Sequence, residues 1–145
     1  MGAIVSFKKI FVAVDGSAQA SVVFEQAVEL ATKDLANLMV FHGVELGARM
    51  TYPSQIEAKT EEGQDVLQGY REKTKDLGIS VEFNCRVGNP GSTICDAAKE
   101  WGADLIVLGR RGYKGITEVL LGSVSNHVVR NAHCSVLIIQ GDVGG

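Results

Sequence analysis

Apolar and polar positions follow two different periods along this chain, and each change of period marks an element. Residues 10–14, Ile-Phe-Val-Ala-Val, form an unbroken apolar run. Such a run predicts a short strand covered on both faces. Ala20, Phe24, Ala27, Val28, Ala31 and Leu35 then recur at helical spacing and predict one buried helix face. Asp15-Gly16-Ser17 punctuates the junction, with Ser17 the expected N-cap. A second apolar run at 38–41 predicts a strand, and 42–50 reads as an irregular exit loop.

A longer, more polar helix is expected over 53–77, with Pro53 in its first turn and Val66, Leu67, Tyr70, Thr74 and Leu77 on its apolar face. Gly63 and Gly69 weaken its helical propensity by about 1 kcal/mol each against alanine. Residues 80–87 alternate strictly, with Val81, Phe83, Cys85 and Val87 on one side and polar residues on the other. That pattern suits an edge strand with one face wet. A turn at 88–91 leads to a short helix carrying Ile94, Ala97, Ala98 and Trp101. The run at 104–108 predicts a fourth strand, 123–131 a fourth helix and 135–139 a fifth strand.

Strands that alternate with helices imply a parallel sheet with helices on both faces, a Rossmann-like α/β fold. Ligands of such sheets sit beyond the carboxyl ends of the strands, where the winding reverses. The conspicuous loops follow the first and fourth strands. If these strands are neighbours at the switch point, the order is 3-2-1-4-5. At 145 residues with 46% hydrophobic content the chain is expected to form one domain over 1–145.

A net charge of -3 gives no sign of a nucleic-acid or membrane partner. Cys85, Cys95 and Cys134 are odd in number, widely spaced and outside any zinc pattern, which predicts reduced thiols and a cytoplasmic setting. Neither a secretory leader nor a membrane-spanning run is apparent.

The chemistry lies after the fourth strand. Gly109-Arg-Arg-Gly112 is followed after nine residues by Gly122-Ser123-Val124-Ser125, which opens the fourth helix. Gly109 and Gly112 are expected to give positive φ or close backbone approach. A helix N-terminus with free N–H groups and hydroxyls attracts phosphate. A simple Ser123 N-cap is the plainer alternative. Arg110, Arg111 and Lys114 supply candidate countercharge. Asp15 would repel phosphate, so it suits ribose hydroxyls or a base; alternatively it only closes an Asx-turn. No P-loop, no dinucleotide glycine fingerprint and no nucleophile–base pair is present. His42, His127 and His133 read as structural or surface residues, and Cys95 as packing.

Gly-x2-Gly-x9-Gly-Ser, the Val-Asp-Gly-Ser segment at 14–17 and His42 resemble the ATP-binding type of the universal stress protein family. The resemblance covers nearly the whole chain. It implies the adenine nucleotide alpha hydrolase-like fold with order 3-2-1-4-5. It places adenine contacts at Ala13, Val14, Asp15 and Gly43, where the family more often has an apolar residue than glycine. It places ribose and phosphate contacts at Gly109, Arg110, Gly112, Gly122, Ser123, Val124 and Ser125. ATP, AMP or cyclic AMP would each fit, with Mg²⁺ or Mn²⁺ left open. Homodimers are also implied, and the apolar fifth strand, Ser135 to Ile139, is the edge expected to pair with its mate. The expected function is a nucleotide-dependent regulator of the stress response with at most slow hydrolysis and no assigned catalytic residue. A metal-dependent nucleotide hydrolase and a ligand-free dimeric interaction module are the alternatives.

Overall fold

The computed structural model describes residues 6–47, 52–110 and 121–140. Its elements run β1 (Lys9–Ala13), α1 (Gln19–Asp34), β2 (Asn37–Glu45), α2 (Pro53–Thr74), β3 (Val81–Gly88), α3 (Pro90–Trp101), β4 (Leu105–Gly109), α4 (Ser123–Asn131) and β5 (Ser135–Ile139). The five strands form one sheet in the order β3-β2-β1-β4-β5, and every pair is parallel.

Strand alternation sends side chains to two cores. Ile10, Val12, Leu38, Val40, Leu105 and Val107 face α1 and α2, where Phe24, Ala27, Leu67 and Tyr70 meet them. The ring centroids of Phe24 and Tyr70 lie 4.7 Å apart. Phe11, Met39, Phe41, Ile106 and Leu108 face α3 and α4, against Ile94, Ala97, Ala98 and Val128. Burial on both faces explains why the central strands read as unbroken apolar runs.

Four local expectations are corrected. Residues 42–45 are not a loop: β2 continues to Glu45 and pairs with β3 as far as Gly88. The imidazole of His42 and the bare Gly43 hide a strand whose Val44 is still buried. Leu35 leaves the α1 face. It takes the left-handed C-cap conformation at φ 52°, with its side chain 83% exposed. Ser17 does not cap α1; Ala18 occupies the N-cap position without a side-chain bond. The turn at 88–91 is already helical from Pro90, because the Asn89 side chain accepts from Ser92 N–H at 3.1 Å and Pro90 suits the first turn.

Gly63 has a use that propensity does not reveal. A Cβ there would stand 2.2 Å from Cys85 Sγ and 2.8 Å from Val44 Cγ2. Glycine lets α2 press directly on β2 and β3, so the helical cost of the residue is offset by close packing.

Candidate functional site

All strands are parallel, so the exits of β1 and β4 open at the same end of the sheet. The register Val12↔Val107 sets these two strands side by side there. The junctions after them therefore lie side by side at the end where such sheets open a crevice.

At the β1 exit, Ala13 ends the strand and packs toward the α3/α4 core. Val14 turns the other way, into the α1/α2 core. Both of its backbone groups are occupied: its N–H donates to the Phe41 carbonyl at 2.8 Å, and its carbonyl accepts from His42 Nδ1 at 2.7 Å. Asp15 closes an Asx-turn. Its Oδ1 accepts from the Ser17 N–H at 2.8 Å and also from the Ser17 hydroxyl. The Ser17 hydroxyl is thus committed to Asp15, which is why it does not cap α1. Tyr70 stands close enough to feel the charge: burial first, and then Asp15, push its phenol above the usual tyrosine range. Gly43 lies opposite, in β2. A Cβ there would meet Thr93 Oγ1 at 3.2 Å and the Pro90 backbone at 3.5 Å. The glycine admits the start of α3 beside the β2 backbone.

At the β4 exit, the described residues meet through both backbone and side-chain groups. Gly109 is the last residue of β4, paired with Ile139, and does not take positive φ. Arg110 N–H donates to Ile139 carbonyl at 2.9 Å. The Arg110 carbonyl accepts from Gly122 N–H at 2.9 Å and from the Ser125 hydroxyl at 2.6 Å. This oxygen ties both ends of the glycine segment together. Ser125 is only 3% exposed, so its hydroxyl is a latch within the protein. The Arg110 guanidinium reaches Gln140 Oε1 at 3.4 Å, and its Nε is buried with no hydrogen-bond partner among the described residues. Gly112, Arg111 and Lys114 lie outside the described residues.

The start of α4 also departs from expectation. Gly122, not Ser123, is the N-cap, and no side chain caps the helix. Ser123 is the exposed first helical residue; Val124 is half-buried against the α3/α4 core. Asn126 N–H closes the first turn on the Gly122 carbonyl at 2.9 Å. The N–H groups before it have no partner one turn back in the helix, and they carry the positive end of its dipole. Gly122 has φ −72° and ψ 171°, a conformation open to any residue. Its backbone angles therefore do not demand glycine, and neither do those of Gly109, which has no positive φ.

The structure thus gathers Ala13, Asp15, Gly43, Gly109, Arg110 and Gly122 to Ser125 at one end of the sheet. Val14 lies there too, with its side chain in the α1/α2 core and both backbone groups hydrogen-bonded. Sequence reasoning missed Thr93 and Tyr70: nothing local in their segments links them to the β1 and β2 exits, and only the packing of α3 and α2 brings them close.

Reactive groups are scarce. Burial raises the thiols of Cys85, Cys95 and Cys134, and all three are free. They are protonated and poorly nucleophilic at neutral pH. His127 packs its ring against Gly91 of α3, where a Cβ would approach it to 2.8 Å. Among the described residues no cluster of three or more His, Cys, Asp or Glu side chains could hold a metal. An open groove of about 470 Å³ between α1 and α2, lined by Phe24, Glu25, Val28, Glu29 and Lys73, shares no residue with the crevice. Among the described residues no helix is long and apolar enough to cross a membrane.

A family model described as "Universal stress protein family" matches residues 6–140. The chain belongs to the universal stress protein family. A universal stress protein of Synechocystis sp. is 39% identical over 151 residues, spanning 92% of this chain and 98% of the relative. Among solved structures, universal stress protein UspA from Lactobacillus plantarum superposes with TM-score 0.83 at 30% identity, over 94% of this chain and 100% of that one. Two more distant structures share the fold. A universal stress protein in complex with cAMP has TM-score 0.76 at 23% identity, over 95% and 100% of the two chains. A family member from Arabidopsis thaliana with AMP bound has TM-score 0.69 at 22% identity, over 94% and 93%. For this universal stress protein the predicted fold and strand order are those observed.

Proposed function

We propose that this universal stress protein binds an adenine nucleotide across the β1 and β4 exits and acts as a nucleotide-dependent regulator. The observation that carries the reading is the uncapped start of α4, tied through Arg110 to the end of β4 beside the carboxylate of Asp15. Unpaired N–H groups at a helix N-terminus suit phosphate oxygens. The Asp15 side, with its carboxylate and nearby backbone groups, suits ribose hydroxyls and base. Ala13 and Gly43 line the base side; Gly109, Arg110, Gly112, Gly122, Ser123 and Val124 serve the phosphates. The distant relatives that hold cAMP and AMP support an adenine ligand.

ATP, AMP and cyclic AMP share the ribose-phosphate portion that this site addresses. A divalent cation, Mg²⁺ or Mn²⁺, would come with the phosphates. Sensing is favoured over turnover because Asp15 is engaged by Ser17 and, among the described residues, no hydrogen bond orients a base toward it. Hydrolysis is accordingly slow. The protein works as a homodimer, in which β5, paired on one side only with β4, pairs with its mate.

Thermal melting tests the reading. A ligand that binds only the folded protein at 100 times its Kd adds about 2.7 kcal/mol. In a chain of this size that raises Tm by roughly 5–10 °C. Mg-ATP, AMP or cyclic AMP at millimolar concentration is expected to produce such a rise. The absence of any shift with all three would remove the claim. A monomeric mass by light scattering at tens of micromolar would remove the dimer.

A further inference from the structure

The structure assigns His42 the role of a positioning residue for the nucleotide crevice, an inference that rests on the adenine-nucleotide reading above. His42 stands inside β2 on the face that carries Leu38, Val40 and Val44, and it is only 9% exposed. An aliphatic side chain would fill that space without a polar penalty, whereas a buried imidazole is costly unless it is hydrogen-bonded. The bond it makes is to the Val14 carbonyl, at 2.7 Å. A carbonyl only accepts, so His42 Nδ1 carries the proton.

The consequence lies at the next residue. Val14 has left β1, yet consecutive residues of β2 hold both of its backbone groups: the Phe41 carbonyl takes its N–H and the His42 ring takes its carbonyl. The peptide entering Asp15 is thereby fixed, and with it the Asx-turn through Ser17. The imidazole is held in turn. α2 backs it at Gly63, where a Cβ would sit 3.4 Å from His42 Cδ2, and Cys85 lies beside it in the paired register of β3. His42 touches no ligand in this scheme. It sets how rigidly Asp15 is presented, and so how tightly the crevice holds its nucleotide.

Two substitutions separate positioning from core filling. His42→Leu keeps an apolar filler and loses the donor. His42→Asn loses ring volume and keeps an amide N–H near the Nδ1 position. Amide hydrogen exchange at Gly16 and Ser17 is measured in the ligand-free proteins, and ATP affinity by calorimetry. His42→Leu is expected to speed exchange and weaken ATP binding, each about tenfold, the ratio set by one buried hydrogen bond. His42→Asn is expected to stay within about threefold of the parent in both. Equal behaviour of the two variants, or parent-like behaviour of His42→Leu, overturns the assignment. If His42→Leu does not fold, His42→Gln replaces it, since its amide reaches the Nε2 position instead. A parent protein that binds no adenine nucleotide fails the proposed function and the affinity half with it; the exchange measurement then decides the positioning of Asp15 alone.

Discussion

The two exits that form the crevice are built by different means. After β1 the chain is held by side chains: Asp15 gathers Ser17, and His42 reaches across from β2 to Val14. After β4, among the described residues, the Arg110 carbonyl joins the Gly122 N–H and the Ser125 hydroxyl, and the Arg110 guanidinium reaches Gln140. The first wall presents a carboxylate and the second presents N–H groups. A molecule with hydroxyls and a base at one end and phosphate at the other satisfies both. Neither wall alone specifies a nucleotide.

The comparison breaks most visibly at Gly122. Its backbone angles admit any residue, so Gly122→Val is expected to leave the fold intact and to put a branched side chain at the proposed phosphate wall. ATP affinity is expected to fall by 100-fold or more, on the order of 3 kcal/mol, with little change in Tm. A valine variant that binds ATP like the parent would show that the α4 start is not the phosphate wall. Ser125→Ala removes the buried latch and leaves the Arg110 carbonyl with one donor fewer. A loss of about 1–2 kcal/mol in urea denaturation is expected, with weaker ATP binding as the tie between Arg110 and α4 is lost. Equal stability would mean the latch contributes nothing.

Asp15→Asn sharpens the other wall. The amide oxygen still accepts from Ser17, so stability should change by less than about 0.5 kcal/mol. ATP affinity should fall roughly tenfold once a carboxylate no longer receives ribose hydroxyls. A large stability loss without an affinity change would reduce Asp15 to a turn residue.

The smallest effect concerns Tyr70. Its phenol titrates higher in the folded protein than the ordinary 10.0. The folded state therefore keeps its proton more tightly, and stability falls as pH rises through and past that ordinary value. The three raised thiols add a fall that begins near their ordinary 9.0. Tyr70→Phe should lose less stability than the parent above pH 10. Identical slopes in pH-dependent denaturation would contradict the raised phenol, whose first cause is burial and whose second is the Asp15 charge.

Sequence pattern revealed most where one physical demand acted alone. The bounds of α4 and β5, and the strand order, were legible from apolar runs and from the position of the loops. The pattern failed where two demands competed. Ser17 could cap α1 or bond Asp15, and the nearer carboxylate won. Gly63 looked like a weak point in α2 because its close contact with Cys85 is long-range. His42 and Gly43 interrupted an apolar run, and so hid the end of β2. Among the candidate site residues, the sequence places the described ones at one end of the sheet, but side-chain direction did not follow from residue type. Val14 faces away from its neighbour Ala13, and Ser125 is turned inward to a carbonyl.

The central claim is that one adenine nucleotide spans both exits. Titration of the isotope-labelled protein with ATP, followed by amide NMR, tests it residue by residue. Saturable shifts are expected together at Ala13, Asp15 and Gly43 and at Gly109, Arg110, Gly122, Ser123 and Val124, with one common affinity. Shifts confined to one exit, shifts only in the groove between α1 and α2, or none at millimolar ATP would contradict the account.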